Sequence, residues 1–245
     1  MIDSDKNKQK ILKNFIKIAE ISGWNDKSLK KACLLSDIDP DNLIFIFPDS
    51  VLDVAQLYLD NGNNLLIKEI AKIKDFNKKK IRDKIRLCLY KRFEIEIANR
   101  QILINLSNFY QDPKNLTNFE NGLRPAMQSI TFSFIIADLI WSILDDQSSD
   151  FNYYTKRLIL AKIIVRSFFI FIKDDMKDIA KTKSFIDLQI EKVMKFEKFK
   201  FKSKEVAQSI LESVQDCINN EDGSLKNIDK LIKDLPFIRL LKKND

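Results

Sequence analysis

The sequence has no histidine among its 245 residues, and it has only four glycines, five prolines and three cysteines. Without histidine, His-based triads, His-ligated zinc, Glu-x-x-His di-iron sites and imidazole general bases are excluded. Cys33, Cys88 and Cys217 are far apart and odd in number, which excludes a disulfide framework and favours a reducing compartment. Sandwiches, barrels and βαβ series need many more turn residues than this chain has. The composition therefore predicts an all-α fold.

The chain carries 42 Lys and Arg against 35 Asp and Glu, a net charge of +7 that favours anionic partners without naming one. It has no GxGxxG, GxxxxGK[ST] or GxSxG motif, so dinucleotide binding, Walker-type phosphate binding and the hydrolase elbow lack their defining backbone. No constellation of acid, base and nucleophile is visible, and we predict that the chain is not an enzyme. Its first ten residues, MIDSDKNKQK, resemble neither an export signal nor an organelle presequence.

Apolar spacing predicts a helix over about 8–22 closed by Gly23, short helices up to residue 47, and a long helix from Asp49 or Ser50 that NGNN at 61–64 could interrupt. The next helix places Ile81, Ile85, Leu89, Phe93 and Ile97 on one face, and Lys and Arg residues, Arg92 included, at the other positions. Two interpretations of its basic side remain open. It is a solvated face, or it contacts phosphate or lipid headgroups.

Two nearly apolar segments follow, at 126–146 and 158–172, and both are too short to span a bilayer. We predict that they form a central antiparallel pair, sitting in a core or lining an apolar cavity. A further helix over about 178–200 is predicted to turn Phe185, Leu188, Val193 and Phe196 inward. Beyond it, 203–219 and 225–243 each have an amphipathic pattern.

The stretch DDQSSDFNYYTKRLILAKI, with TKSFIDLQIEKVMKFEK downstream, resembles the lipid-binding accessory family of coenzyme Q (ubiquinone) biosynthesis. The resemblance covers about 138–200. Upstream of this range, only a Gly-Trp pair near the start, the Phe-Pro-Asp at 47–49 and the general helix layout agree with the family pattern. The matching positions are Asp138, Trp141, Asp146, Ser148, Asp150, Asn152, Tyr154, Thr155, Lys156, Arg157, Leu160, Ala161, Thr182, Phe185, Ile186, Asp187, Ile190, Val193, Phe196, Glu197 and Lys198.

Three positions depart from the family pattern. Asp145 stands where the family usually has Gly, Tyr153 where it has Trp, and Gln189 where it has Arg. Tyrosine keeps an amphipathic aromatic side chain at its position. The missing Arg removes a bidentate donor, so any salt bridge that it makes in relatives must be absent or rebuilt here.

The resemblance implies a TetR-like helical bundle with a degenerate helix-turn-helix region at 1–48, a lipid-binding domain at 49–200 and appended amphipathic helices at 203–245. It also implies a non-enzymatic, homodimeric protein that binds an isoprenoid, quinone or phospholipid without any other cofactor. Such a protein presents lipid to the di-iron hydroxylase that acts on demethoxyubiquinone. We expect the cavity to be lined by residues of the two apolar segments, although each of them also suits an ordinary core: Phe132, Ile136, Ile140, Trp141, Ile164, Phe168 and Phe171.

The corner between the apolar segments has two interpretations. Asp150 or Asn152 caps a helix that starts near Tyr154, which leaves the adjacent tyrosines unexplained. In the family, the aromatic pair here belongs to the surface that meets the hydroxylase, and tyrosines flanked by charges anchor interfaces well. The partner-binding residues predicted on this basis are Asp150, Asn152, Tyr153, Tyr154, Lys156 and Arg157.

The TetR-like topology also raises a rival function, a DNA-binding transcription regulator with its helix-turn-helix at 26–47. The recognition helix of such a regulator carries polar and basic side chains into the major groove, whereas PDNLIFIFP has no Lys or Arg. We therefore expect no sequence-specific nucleic-acid binding.

Membrane association is expected from the C-terminal segments. In the family, the helix at the position of 203–219 engages the bilayer, but the charges of 225–243 suit anionic headgroups better. The alternative is that either segment packs on the body or on a second subunit. The membrane-facing residues would be Ile228, Leu231, Ile232, Leu235, Phe237, Ile238 and Leu241. The expected location is the bacterial cytoplasm, peripheral to the inner membrane.

Overall fold

The computed structural model describes residues 4–112 and 124–197. In these ranges the chain forms nine α-helices and no strand, which confirms the all-α class, and the helix layout is consistent with a TetR-like bundle. The helices are α1 Ser4–Ser22, α2 Asp26–Leu34, α3 Leu43–Ile46, α4 Val51–Ala71, α5 Ile81–Glu94, α6 Arg100–Gln111, α7 Arg124–Ile143, α8 Asp150–Phe171 and α9 Ala180–Glu197. The segments 203–219 and 225–243, with all the predicted membrane-facing residues from Ile228 to Leu241, lie outside the described residues.

The N-terminal region shares one hydrophobic core with the rest of the fold. Gly23 ends α1 with a φ of 76°, as predicted, since a glycine adopts this left-handed backbone without strain. The next residue, Trp24, packs edge-on against Phe15 and donates its indole N–H to the Ile102 carbonyl in α6. Asn105 of α6 donates in turn to the last carbonyls of α1. Residues on both sides of position 48 therefore belong to one core.

The helix α4 runs unbroken through NGNN, which settles the alternative that the sequence left open. One boundary differs from the prediction, because α5 ends at Glu94 instead of continuing through Ile97. A 3-10 turn at Ile97–Asn99 redirects the chain, so that α6 begins a separate helix at Arg100. Ile97 keeps the four-residue apolar spacing from Phe93 although it lies in the 3-10 turn, so the spacing alone did not reveal this break.

Most of the basic side chains of α5 that were predicted to face outward pair with carboxylates of the same chain. Arg86 binds Asp187 of α9 at 2.6 Å, and Lys91 binds Glu94 at 2.8 Å. Arg92 is buried, so its placement on the polar face was wrong: it follows Leu89 by three positions and shares that residue's buried face. These intramolecular pairs favour a structural role for the basic helix over headgroup contact.

The helices α7 and α8 form the predicted antiparallel pair, and α9 packs against α8 and α5. The inward face of α9 carries Thr182, Ile186, Gln189 and Ile190. Leu188, which was predicted to face inward, is 52% exposed because it lies about 100° around the helix from Gln189.

No single helix in the described ranges is long and apolar enough to cross a bilayer. Among the described helices, one pair bent by 62°, Pro40–Ile46 with Val51–Ala71, passes that test when its two halves are taken together.

Candidate functional site

A cavity of about 280 Å³ lies between α4, α5, α6, α7 and α8. Its apolar wall is formed by side chains from all five helices, and Phe169 and Gln111 at its edge are exposed, so the cavity reaches the surface. The lining residues are Leu59, Arg92, Phe93, Glu96, Leu103, Leu106, Ser107, Tyr110, Gln111, Phe132, Ser133, Ile136, Ile164, Val165, Phe168 and Phe169. A largely apolar wall with a few polar groups is the usual composition of a small-molecule site.

Four of the seven residues predicted for a lipid cavity line this one: Phe132, Ile136, Ile164 and Phe168. The other three lie elsewhere. Ile140 is fully buried in the core, and Phe171 is buried between Phe93 and the guanidinium of Arg100. Trp141 lies at the corner, where the Lys156 ammonium is 5.0 Å from its ring centroid. Periodicity indicated the buried helices correctly but could not separate cavity wall from core.

The part of the wall that comes from α4, α5 and α6 was not predicted from the sequence. Leu103, Leu106 and Tyr110 recur at helical spacing on α6, which identifies a buried face without showing that a void lies against it. Burial raises the pKa of the Tyr110 hydroxyl well above its ordinary value, so this hydroxyl stays protonated.

A buried ion pair interrupts the apolar wall. Arg92 and Glu96 are bonded at 2.6 Å with both side chains under a tenth exposed, and Tyr58 donates its hydroxyl to the second oxygen of Glu96 at 2.5 Å. Burial, and then the charge of Glu96, raise the pKa of Tyr58 far above its usual range. Gly62 of α4 makes room for the pair, because a Cβ there would lie 2.9 Å from a guanidinium nitrogen of Arg92.

The corner between α7 and α8 is held by a network of charged side chains. The Arg157 guanidinium binds Asp138 at 2.5 Å and Asp146 at 3.4 Å, and it stacks 3.3 Å from the ring centroid of Tyr153. Lys156 binds Asp146 at 2.7 Å. Burial alone would raise the pKa of Asp146, but hydrogen bonds from Lys156 and Ser148 outweigh it and lower that pKa.

The backbone of this corner explains one departure from the family pattern. Asp145 has a φ of 56°, and the N–H groups of Asp145 and Asp146 close on the carbonyls of Ser142 and Trp141 in a Schellman ending of α7. Glycine adopts that conformation most easily, so the glycine usual in relatives fits the geometry, and Asp145 occupies it with strain. At the departure from Arg, Gln189 is buried, while the α5–α9 ion pair is carried by Arg86 and Asp187.

The predicted partner-binding residues divide by exposure. Arg157 is buried at 3% exposure and ties α8 to α7, so its guanidinium is not part of the outer surface. Tyr153 is bound to Asp138 through its hydroxyl and is partly covered, whereas Asn152 is exposed and Tyr154 is half-buried against Tyr153. The capping interpretation was wrong for Asn152, because α8 already begins at Asp150 with Ser149 as its N-cap residue. The side chain of Asp150 lies outside the described set.

The proposed recognition helix of a DNA-binding regulator is α3, which is only four residues long and reads LIFI. Its exposed side chains are Ile44 and Phe45, both apolar. Within 4–112 and 124–197, no group of three or more acidic or cysteine side chains is placed to hold a metal ion.

Comparison with known proteins gives two matches. Residues 126–197, which span α7, the corner, α8 and α9, match the COQ9 family model. The chain is also 28% identical over 205 residues to a protein of Dictyostelium discoideum named probable ubiquinone biosynthesis protein coq9, mitochondrial. The alignment covers 79% of this chain and 61% of that relative, so the chain spans about three fifths of the relative's length. These matches confirm the resemblance to the accessory family of coenzyme Q biosynthesis.

Proposed function

We propose that this chain, which carries a COQ9-family segment at 126–197, serves ubiquinone biosynthesis as a non-catalytic lipid-binding protein. It holds an isoprenoid or quinone-like lipid in the cavity between α4 and α8 and presents it to a di-iron hydroxylase acting on demethoxyubiquinone. The observation that carries the proposal is the cavity itself: its wall is apolar, it reaches the surface, and α7 and α8 of the matched segment supply nearly half of its lining.

The size of the cavity limits what enters it. At about 280 Å³ it is near the lower end of small-molecule sites, which run from about 300 to 1,000 Å³. It therefore accommodates a ring with a short length of chain and leaves the rest of a polyprenyl tail outside. Such a tail would be shielded by the bilayer surface or by apolar surface of the protein, which is the physical reason for proposing peripheral membrane association and a second subunit.

The lipid-binding proposal is tested by native mass spectrometry of the purified chain offered a short-chain prenylated benzoquinone, followed by solvent extraction. We expect about one quinone or phospholipid per protomer. Val165→Trp places an indole in the cavity and should abolish retention, whereas Ile159→Trp, on the same helix and also half-buried but outside the lining, should retain lipid. A chain that retains no lipid under any of these conditions contradicts the proposal.

The hydroxylase proposal rests on the exposed side of the corner. Asn152 is exposed and Tyr154 is half-buried, and neither bonds to Arg157 in the described part of the chain. Tyr154→Ala should therefore reduce co-purification of the di-iron hydroxylase without lowering thermal stability much. Phe45→Ala removes an exposed aromatic ring from α3 and serves as the control. If the Phe45 variant loses the hydroxylase and the Tyr154 variant keeps it, the corner is not the partner surface.

A further inference from the structure

The inference begins from the buried Arg92–Glu96 pair, which lies in the cavity wall. Removing two charges from water is costly, and a pair of this kind stabilises a fold little compared with apolar residues of the same volume. Its presence in an otherwise apolar wall is therefore not explained by stability. Glycine at position 62, which is unfavourable in the middle of α4, accommodates the pair at a further cost of about 1 kcal/mol.

The pair is incompletely satisfied. Glu96 accepts from both Arg92 and Tyr58, so its two oxygens are each engaged. On the Arg92 side, the Nε–H is buried and has no hydrogen-bond partner within the described part of the chain. A buried donor without a partner costs free energy, and only a ligand oxygen that accepts from this Nε–H would recover that cost.

The charge of the Arg92–Glu96 pair determines whether a neutral or an anionic ligand oxygen binds beside it. Glu96 already neutralises Arg92 at 2.6 Å, so the deep wall of the cavity has no net charge from this pair. An anionic ligand head would lose its hydration on entering the cavity. Because Arg92 is already paired with the Glu96 carboxylate, the cost of desolvating that ligand head would not be recovered. A neutral acceptor, such as a ring carbonyl or an ester carbonyl, has no such cost.

We propose that Arg92, held by Glu96 and Tyr58, is a polar subsite that binds the neutral, oxygen-bearing head of an amphiphile inside the cavity, with the apolar chain directed toward Phe168 and Phe169. The exposed Phe169 marks the side at which the chain leaves the protein. This inference rests on the proposed lipid-binding function and adds to it an orientation, head inward, and a selectivity against lipid anions.

The test compares ligands on the wild-type chain. A farnesyl benzoquinone, farnesoic acid, the hydrocarbon farnesene and a monoacylglycerol are titrated by tryptophan fluorescence quenching or calorimetry. A hydrogen bond from a charged donor should favour the quinone over the hydrocarbon and over the carboxylate by about tenfold or more. The monoacylglycerol arm distinguishes an ester carbonyl from a ring carbonyl; preference for either neutral oxygen over the hydrocarbon supports the inference.

A double variant, Arg92→Met with Glu96→Leu, replaces the pair by apolar side chains and should keep hydrocarbon binding while the quinone loses its tenfold preference. The matched control is Lys91→Met with Glu94→Leu, an ion pair on the same helix but outside the cavity, which should leave the preference unchanged. The carbonyl stretching frequency of bound quinone gives an independent reading, lowered in the wild type and restored toward its free value in the double variant.

The outcomes separate the inference from the function on which it rests. Equal binding of quinone and hydrocarbon, with an unshifted carbonyl band, overturns the polar subsite and leaves lipid binding standing. Tighter binding of farnesoic acid overturns the selectivity for neutral heads. If none of the four ligands binds, the proposed function fails and the subsite fails with it.

Discussion

Replacing Arg157 by methionine should destabilise the fold, because the guanidinium ties two helices together in a buried position. Removing one partner of a buried ion pair costs about 3–5 kcal/mol. Here the cost is smaller, since the Asp138 side chain is 42% exposed and can be rehydrated, and Asp146 keeps Lys156 and Ser148 as partners. We therefore expect the free energy of unfolding to fall by about 2–3 kcal/mol.

The assay is equilibrium urea unfolding followed by circular dichroism, with Arg166→Met as the matched control. Arg166 is two to three turns further along α8, is exposed, and contacts the Phe185 ring at 5.6 Å. The same substitution there should change stability by no more than about 0.5 kcal/mol. Arg157→Lys should give an intermediate loss, because an ammonium keeps the charge but not the two-sided fork.

An Arg157→Met chain as stable as the Arg166→Met chain would refute this reasoning. If that stable chain also lost hydroxylase binding, Arg157 would be a partner-binding residue, as the sequence predicts. A loss of stability that fully accounts for reduced partner binding would identify Arg157 as a residue that shapes the corner from within.

Three further changes test the backbone and the charges around the site. Asp145→Gly should raise the free energy of unfolding by about 0.5–1 kcal/mol in a urea titration, because glycine relieves the left-handed strain at φ 56°; a destabilised variant would contradict this assignment. Burial, and then repulsion from Arg166, lower the pKa of Lys162 to about 8 from 10.5. Between these two pKa values, the folded state holds fewer protons than the unfolded state. Lys162→Met should therefore be more stable than the wild type at pH 7, and this difference in stability should shrink as the pH rises from about 8 to about 10.5. A margin independent of pH would show that Lys162 does not titrate in this way. Gly62→Ala should destabilise the chain by about 1 kcal/mol, since displacing the paired Arg92 outweighs the gain in helix propensity, while Asn64→Ala on the exposed side of α4 should be neutral or slightly stabilising in the same thermal melts.

The helical class, the main helices and the resemblance at 138–200 could all be predicted from the amino-acid sequence. Scarce glycine and proline exclude the alternatives to a helical bundle, and apolar residues at a period of 3.6 identify a buried helix face wherever the helix packs. Gly23 could be assigned as a helix end because the backbone conformation that follows a helix is a local property. The matched segment was found because its pattern is dense in residues with distinctive chemistry.

Which buried residues line a cavity, and which charged residues point inward, became evident only from the packing of the helices. Phe132 and Ile140 are equally apolar and lie on the same helix, yet one lines the cavity and the other is packed in the core. Arg92 and Arg157 look in sequence like surface cations, but each is buried against a carboxylate. Periodicity indicates which way a side chain points from its own helix. A cavity or a buried ion pair depends instead on the distances between several helices, and the apolar pattern of a single helix does not contain those distances.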